Sequence, residues 1–295
     1  MTAGDMPAWL PGSASEHAVV HASKQECDAD REARAGVLDG RRVRALAAIR
    51  DAGAAGIAGY CPLCDARHFM SKDHAAGEPD LREGLACDGC RTNARVRAGL
   101  VLLRALCPER SSRIYLTEQV STAYLWLCRH YPEATGSEYA PNWLRRARLA
   151  LHLLGMSGRW RVRFEDVTGL TLATASQDAV VSFDVLEHVY DFRAALREFA
   201  RITQAGGWLV LTVPFTGAES TLERARVHPG GRIEHIHPPE YHGNPLGDGA
   251  LCFRHFGWDL LDDLRMAGYR HAAVVNPWWP EAGLFDGPVV IVAQR

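Results

Sequence analysis

From about residue 111 onward, short apolar runs alternate with helical stretches, and this alternation limits the fold more than any other feature of the chain. Arg113–Leu116, Thr135–Tyr139, Trp160–Phe164 and Asp178–Phe183 read as strands, as do Gly207–Val213, His271–Asn276 and Pro288–Ala293. Ser121–His130, Pro141–Leu154, Phe192–Thr203 and Trp258–Met266 read as helices. Parallel strands need a crossover between them, and a helix is the usual one. The alternation therefore predicts βαβ units and a largely parallel sheet over 111–295.

Ahead of this half the pattern is different. Residues 1 to about 24 show no periodicity and read as a poorly ordered arm. Glu26–Ile49 carries a ragged helical stripe, and Asp51–Gly59 reads as a linker rich in Gly and Ala. The expected division is an arm and helix over 1–58, a cysteine module over 59–110 and a sheet domain over 111–295. Two domains agree with a length of 295 residues. Lys plus Arg number 33 and Asp plus Glu 35, a formal charge of −2. That balance argues against a dedicated nucleic-acid coat and a polybasic membrane anchor. No apolar run approaches the ~18 residues of a membrane span, and no secretory signal opens the chain. The expected compartment is the cytoplasm, where eight cysteines do not form a disulfide framework.

Four of those cysteines are paired, in Cys61-Pro62-Leu63-Cys64 and Cys87-Asp88-Gly89-Cys90. Two residues between paired thiolates let both reach one ion from a tight turn. Two such turns complete the tetrahedron of a structural zinc ion. Gly89 is placed to relieve the second turn. A redox dithiol needs only one such pair and is the second reading. His68 or His74, inside the intervening loop, can also stand in for a cysteine. Arg91, Arg95 and Arg97 can face phosphates, as in zinc ribbons that bind nucleic acid. The loop's acidic residues and the absence of a basic excess favour a ribbon that covers or orients its neighbour domain instead. Cys27, Cys107, Cys128 and Cys252 read as buried free thiols.

In an open parallel sheet, a nucleoside ligand sits at the C-terminal strand edge, where strand order reverses. An acidic residue after the second strand can accept from ribose hydroxyls, and Glu138 in Gly136-Ser137-Glu138-Tyr139 stands there. Phe164-Glu165-Asp166-Val167 follows the third strand, where Asp166 can accept from an adenine amino group. Two further segments are Asp184-Val185-Leu186-Glu187-His188-Val189 after the fourth strand and Gly206-Gly207-Trp208-Leu209 at the fifth. In this order, residues 113–295 resemble the class I S-adenosylmethionine-dependent methyltransferases of the small-molecule type. The four-cysteine arrangement resembles a zinc ribbon fused ahead of some of them. The resemblance implies an α/β, Rossmann-like class I methyltransferase sheet preceded by a helical arm and a small zinc-binding module. It implies S-adenosylmethionine as cofactor, held by Thr117, Glu118, Gln119, Glu138, Tyr139, Asp166, Val167 and Phe183. One feature departs from the family: the first loop usually carries three glycines, whereas Ile114–Thr122 has none. Side chains in that turn crowd a ligand and resist positive φ. Either the loop takes a wider path and still binds the cofactor, or the site is degenerate.

A histidine-rich segment runs from His228 through His235, His237 and His242, with Glu240 and Tyr241 among them and His255 just beyond. In this fold that connection commonly lies over the substrate. His237, Tyr241 and His242, with His188 at the fourth strand's tip, are the candidate catalytic residues, since histidine is easily poised near pH 7. A solvated loop and a second metal site are the other readings of the segment. The expected activity is methyl transfer to a small-molecule or sugar-type acceptor. The alternative is a methyltransferase fold that has lost methyl transfer, or been turned to other chemistry through its histidines.

Overall fold

The computed structural model of the protein describes residues 9–10, 17–53, 56–70, 80–243, 246–247, 249–285 and 287–295. They form two units, one of 1–108 with 273–291 and one of 109–272 with 292–295. Among the described residues, no helix is long and apolar enough to cross a membrane.

The first unit starts with strand β1 (Ala18–His21), where sequence reading placed only an arm. One long helix follows, α1 (Lys24–Ala52), capped by Ser23, whose hydroxyl accepts from the Glu26 N–H at 3.2 Å. Strands β2 (Ile57–Ala58), β3 (His68–Met70) and β4 (Ala86–Cys87) form a small antiparallel sheet. Helix α2 (Ala94–Leu106) is capped by Asn93 and buries Ala94, Arg97, Ala98, Leu100, Leu102, Leu103 and Leu106.

The second unit carries the parallel sheet. Its elements run β5 (Ile114–Leu116), α3 (Thr122–His130), β6 (Thr135–Gly136), α4 (Trp143–Ser157), β7 (Gln177–Phe183), α5 (Phe192–Ile202) and β8 (Thr203–Thr212). Parallel pairing sets the order β6-β5-β7-β8. The first strand of this unit, β5, therefore lies between two others, and its C-terminal end is where the direction of winding reverses. Every residue of β5 and nearly all of β7 is buried, as strands covered on both faces require. The expected third strand, Trp160–Phe164, does not form. Only an isolated parallel bridge joins Phe164 to Glu138. The expected turn at Ala205–Gly207 lies inside β8, where Gly206 at φ 77° accompanies a register shift opposite Gln177–Ala179.

Short antiparallel pairs occupy the connection after β8. They are β9 (Leu222–Glu223) with β14 (Arg254–His255), β10 (Ala225–Val227) with β11 (Ile233–His235), and β12 (Tyr241–His242) with β13 (Ala250–Leu251). Helix α6 (Leu260–Ala267) and strands β15 (His271–Pro277) and β16 (Val290–Gln294) close the chain. Arg295 N–H donates to the Gly207 carbonyl at 3.0 Å, and Gly206 N–H to the Arg295 carbonyl at 2.9 Å.

Residues 273–291, which carry most of β15, group with the first unit. Two contacts give the reason. β1 pairs antiparallel with β15 from Ala18↔Pro277 to His21↔Val274. Arg97, wholly buried, donates to the carbonyls of Ala282 and Gly283 at 2.8 Å each.

Candidate functional site

The four paired cysteines converge in the first unit. Their sulfurs all lie within 4.8 Å of one another. The Cys61–Cys90 and Cys64–Cys87 separations are 3.8 and 3.4 Å. Thiolates at the ~2.3 Å of a zinc–sulfur bond, arranged as a tetrahedron, stand about 3.8 Å apart. The two turns are built alike. Asp65 N–H donates to the Cys61 carbonyl at 2.9 Å and Arg91 N–H to the Cys87 carbonyl at 3.0 Å. Asp65 and Arg91, each just past its second cysteine, have φ of 61° and 62°. Gly89 is required by space rather than by φ. A Cβ there would meet the Ala66 Cβ at 2.8 Å and the Cys64 sulfur at 2.9 Å. Beneath the cluster, Arg97 also donates to the carbonyls of Leu85 and Thr92 at 3.0 Å each, and its guanidinium lies 4.4 Å from the Phe69 ring centre. Arg97 is thus a structural bolt rather than a phosphate contact, and Arg95 is engaged with Glu83 at 2.6 Å. His68 lies in β3, with its Nδ1 3.7 Å from an Asp88 oxygen. His74 lies outside the described residues.

In the second unit, the loop after β5 gathers three of the residues expected at a nucleotide site. Glu118 accepts from the Phe183 N–H at 3.2 Å, and the Thr117 hydroxyl bonds both Glu118, at 2.6 Å, and Ser182, at 3.0 Å. Glu138, past β6, reaches across to accept from the Val120 N–H at 2.6 Å. Burial raises its carboxyl to about 7. Gln119 donates to the Arg161 carbonyl at 3.0 Å and accepts from the Arg163 N–H at 2.8 Å. No residue from Thr117 to Thr122 has positive φ, so this turn needs no glycine for its backbone path. Gln119, Tyr124, Thr135, Gly136 and Arg161–Arg163 line a cleft of about 310 Å³ beside it. Asp166 turns inward on its own loop, accepting from the Thr168 N–H at 2.9 Å and hydroxyl at 2.6 Å. Val167 is buried, and Tyr139 stands 62% exposed. At the tip of β7, Asp184 holds φ 52° and accepts from the Thr212 hydroxyl at 2.9 Å, a strained position of the kind found at ligand sites.

Residues 120–211 match the model of a family described as a methyltransferase domain. The match opens in the loop after β5 and runs through Glu138 and the tip of β7 into β8. That stretch of the chain is similar to a methyltransferase domain. Solved structures similar to the chain include the sugar N-methyltransferase KedS8 from Streptoalloteichus, at 18% identity over 68% of this chain and 87% of that one, with a TM-score of 0.47. Another is CalS10, an amino pentose methyltransferase from Micromonospora echinaspora, at 19% identity over 65% and 86%, with a TM-score of 0.45. The chain spans about half, 51%, of the length of YcgJ from Bacillus subtilis, at 20% identity over 40% of this chain and a TM-score of 0.34. No curated protein matches.

The histidines of the second unit separate into two groups. His188 and His242 meet, their ring centres 5.1 Å apart. His237 is held through its backbone N–H to the Arg224 carbonyl at 3.1 Å, and Tyr241 stands 61% exposed. The side chains that join His188 and His242 were not singled out by sequence. Glu187, wholly buried, lies 3.2 Å from His242 Nδ1, and Glu240 lies 2.9 Å from His242 Nε2. Glu240 also meets His255 Nε2 at 3.2 Å and Arg224 at 3.2 Å. Glu187 raises the His242 imidazolium to about 9, against its partial burial and with help from Glu240. A free base is therefore not what His242 offers in this arrangement. The signal that could have found Glu187 was its place in the Val-Leu-Glu-His-Val segment, read there only as fold pattern.

Proposed function

We propose that the protein transfers a methyl group from S-adenosylmethionine to a small-molecule or sugar-type acceptor. The observation that carries this reading is the convergence of Glu118, Glu138 and the β7 tip around one loop at the reversal point of the sheet. Glu138 would accept from ribose hydroxyls with the oxygen not engaged by Val120, and Glu118 from the methionine amino group. Tyr139, Val167 and Phe183 would flank the adenine, with Asp166 accepting from its amino group. When bound, the sulfonium supplies an activated methyl for in-line displacement. The protein's part is alignment of the nucleophile, exclusion of water and removal of one proton. The polar segment carrying His237, Tyr241 and His242 would face the acceptor.

A zinc ion held by Cys61, Cys64, Cys87 and Cys90 would stabilise the first unit. Four protein ligands leave no open position, which assigns it a structural role. Eight cysteines outside any disulfide fit a reducing compartment such as the cytoplasm.

A second reading, a domain that keeps the fold without the chemistry, draws on one observation. Glu138 and Gln119 already hold backbone partners inside the loop. Calorimetric titration with S-adenosylhomocysteine decides between them. Binding with a matching rise in melting temperature is expected. No heat and no thermal shift at millimolar ligand would leave only the second reading.

A further inference from the structure

We propose that Glu187, His188 and His242 form a binding site for a divalent transition-metal ion, separate from the cysteine cluster. One ligand atom from each lies within 4.8 Å of the others. His242 Nδ1 and His188 Nε2 stand 3.2 and 3.7 Å from the same Glu187 oxygen, Oε1. Ligands at about 2.1 Å from an ion are separated by about 3.0 Å in octahedral and about 3.4 Å in tetrahedral geometry, so small shifts admit either.

The outer groups fix which nitrogen faces the ion. His188 Nδ1 lies 2.8 Å from the Leu251 carbonyl, an acceptor, so this nitrogen carries the proton and Nε2 presents its lone pair. His242 Nε2 lies 2.9 Å from the Glu240 carboxylate and keeps its proton there, so the Nδ1 proton, which faces Glu187, is the one an ion displaces. A ligating histidine that donates its second N–H to a carbonyl or carboxylate is the usual outer arrangement of a metal centre. Glu240 is itself fixed by His255 and Arg224. The turn bearing Glu187 and His188 is fixed in the same way. Arg254, buried, donates to the carbonyls of Val189 and Tyr190 at 2.5 and 2.8 Å, and Phe253 N–H donates to the Glu187 carbonyl at 2.9 Å.

A second observation points to a missing partner. Glu187 Oε2 is buried without any hydrogen bond. An ion pair between Glu187 and His242 alone leaves that oxygen desolvated and unmatched. An ion on the carboxylate compensates it. Two histidines and one carboxylate form a facial set with open positions, and borderline ions such as zinc, iron(II) or cobalt(II) suit it. The open positions would take an oxygen or nitrogen of the methyl acceptor. That use rests on the proposed methyl transfer, whereas the site itself does not.

The test is a titration of the full chain, as purified with its cysteine site filled, with cobalt(II) alone. One further equivalent is expected, with weak d–d bands and no thiolate charge-transfer band. His242→Gln and Glu187→Gln should each weaken it by more than about 100-fold, the upper range for losing an outer group. Absence of that equivalent, a thiolate band, or unchanged binding in both variants would overturn the site. His242→Gln removes the partner of buried Glu187, so its melting temperature should fall, and cobalt binding is read well below that temperature in every variant. Titration with S-adenosylhomocysteine on the same samples keeps the two readings apart. Heat from the cofactor without a cobalt equivalent removes the metal site and leaves methyl transfer standing.

Discussion

The cysteine cluster and the Glu187–His242 cluster gather chemically similar numbers of ligands in opposite ways. The first takes all four sulfurs from two short turns between residues 61 and 90. The second takes Glu187 and His188 from the turn after β7 and His242 from β12, with Glu240, Leu251 and His255 behind them. In the first, local spacing alone sets the geometry of the four sulfurs. In the second, a long connection must fold back before any two ligands from different segments meet. The lesson is that ligand sets with local spacing are visible as motifs, whereas sets assembled by a loop are visible only as composition.

The largest expected effect would break the comparison on the cysteine side. Cys61→Ser should remove one zinc equivalent by elemental analysis and abolish cooperative melting of the first unit, since binding energy at such sites is folding energy. Arg97→Met comes next. It removes the donor from four buried carbonyls, at Leu85, Thr92, Ala282 and Gly283, of which Thr92 keeps the Cys87 N–H, and should cost about 3 kcal/mol or more in denaturant unfolding. Glu138 offers a pH-dependent test of the second unit. Its carboxyl is raised to about 7 by burial, so the folded state holds the proton more tightly than the unfolded chain. Stability therefore falls as pH rises from about 4.5 to about 7, and Glu138→Gln should flatten that slope. Because the carboxylate is the form that accepts from ribose, affinity for S-adenosylhomocysteine should rise about tenfold from pH 6 to 8 and stay level in the variant. The smallest effect sharpens the contrast between histidines. His237→Ala should leave cobalt binding and melting temperature unchanged within error, because only its backbone is engaged.

Much of the sheet domain could be read from the chain. The strands at Ile114–Leu116 and Gln177–Phe183 and the helices between follow runs of buried apolar residues bounded by caps such as Ser121 and Asn142. The misread parts have physical causes. Trp160–Phe164 alternates like a strand, yet only Phe164 finds a bridging partner. Ala18–His21 lacks any pattern of its own and becomes a strand because β15 offers it an edge. The turn after β5 left two readings open for want of glycines, and its backbone avoids positive φ altogether.

By itself the sequence determined the parallel α/β domain, the cysteine turns and the acidic loop ends, because each rests on local periodicity or short-range spacing. Tertiary structure alone decided that residues 273–291 join the N-terminal unit, that Arg97 is buried in it, and that Glu187 stands between His188 and His242. Those outcomes depend on which distant backbone groups come to lie opposite one another, and no periodicity in the chain encodes that choice.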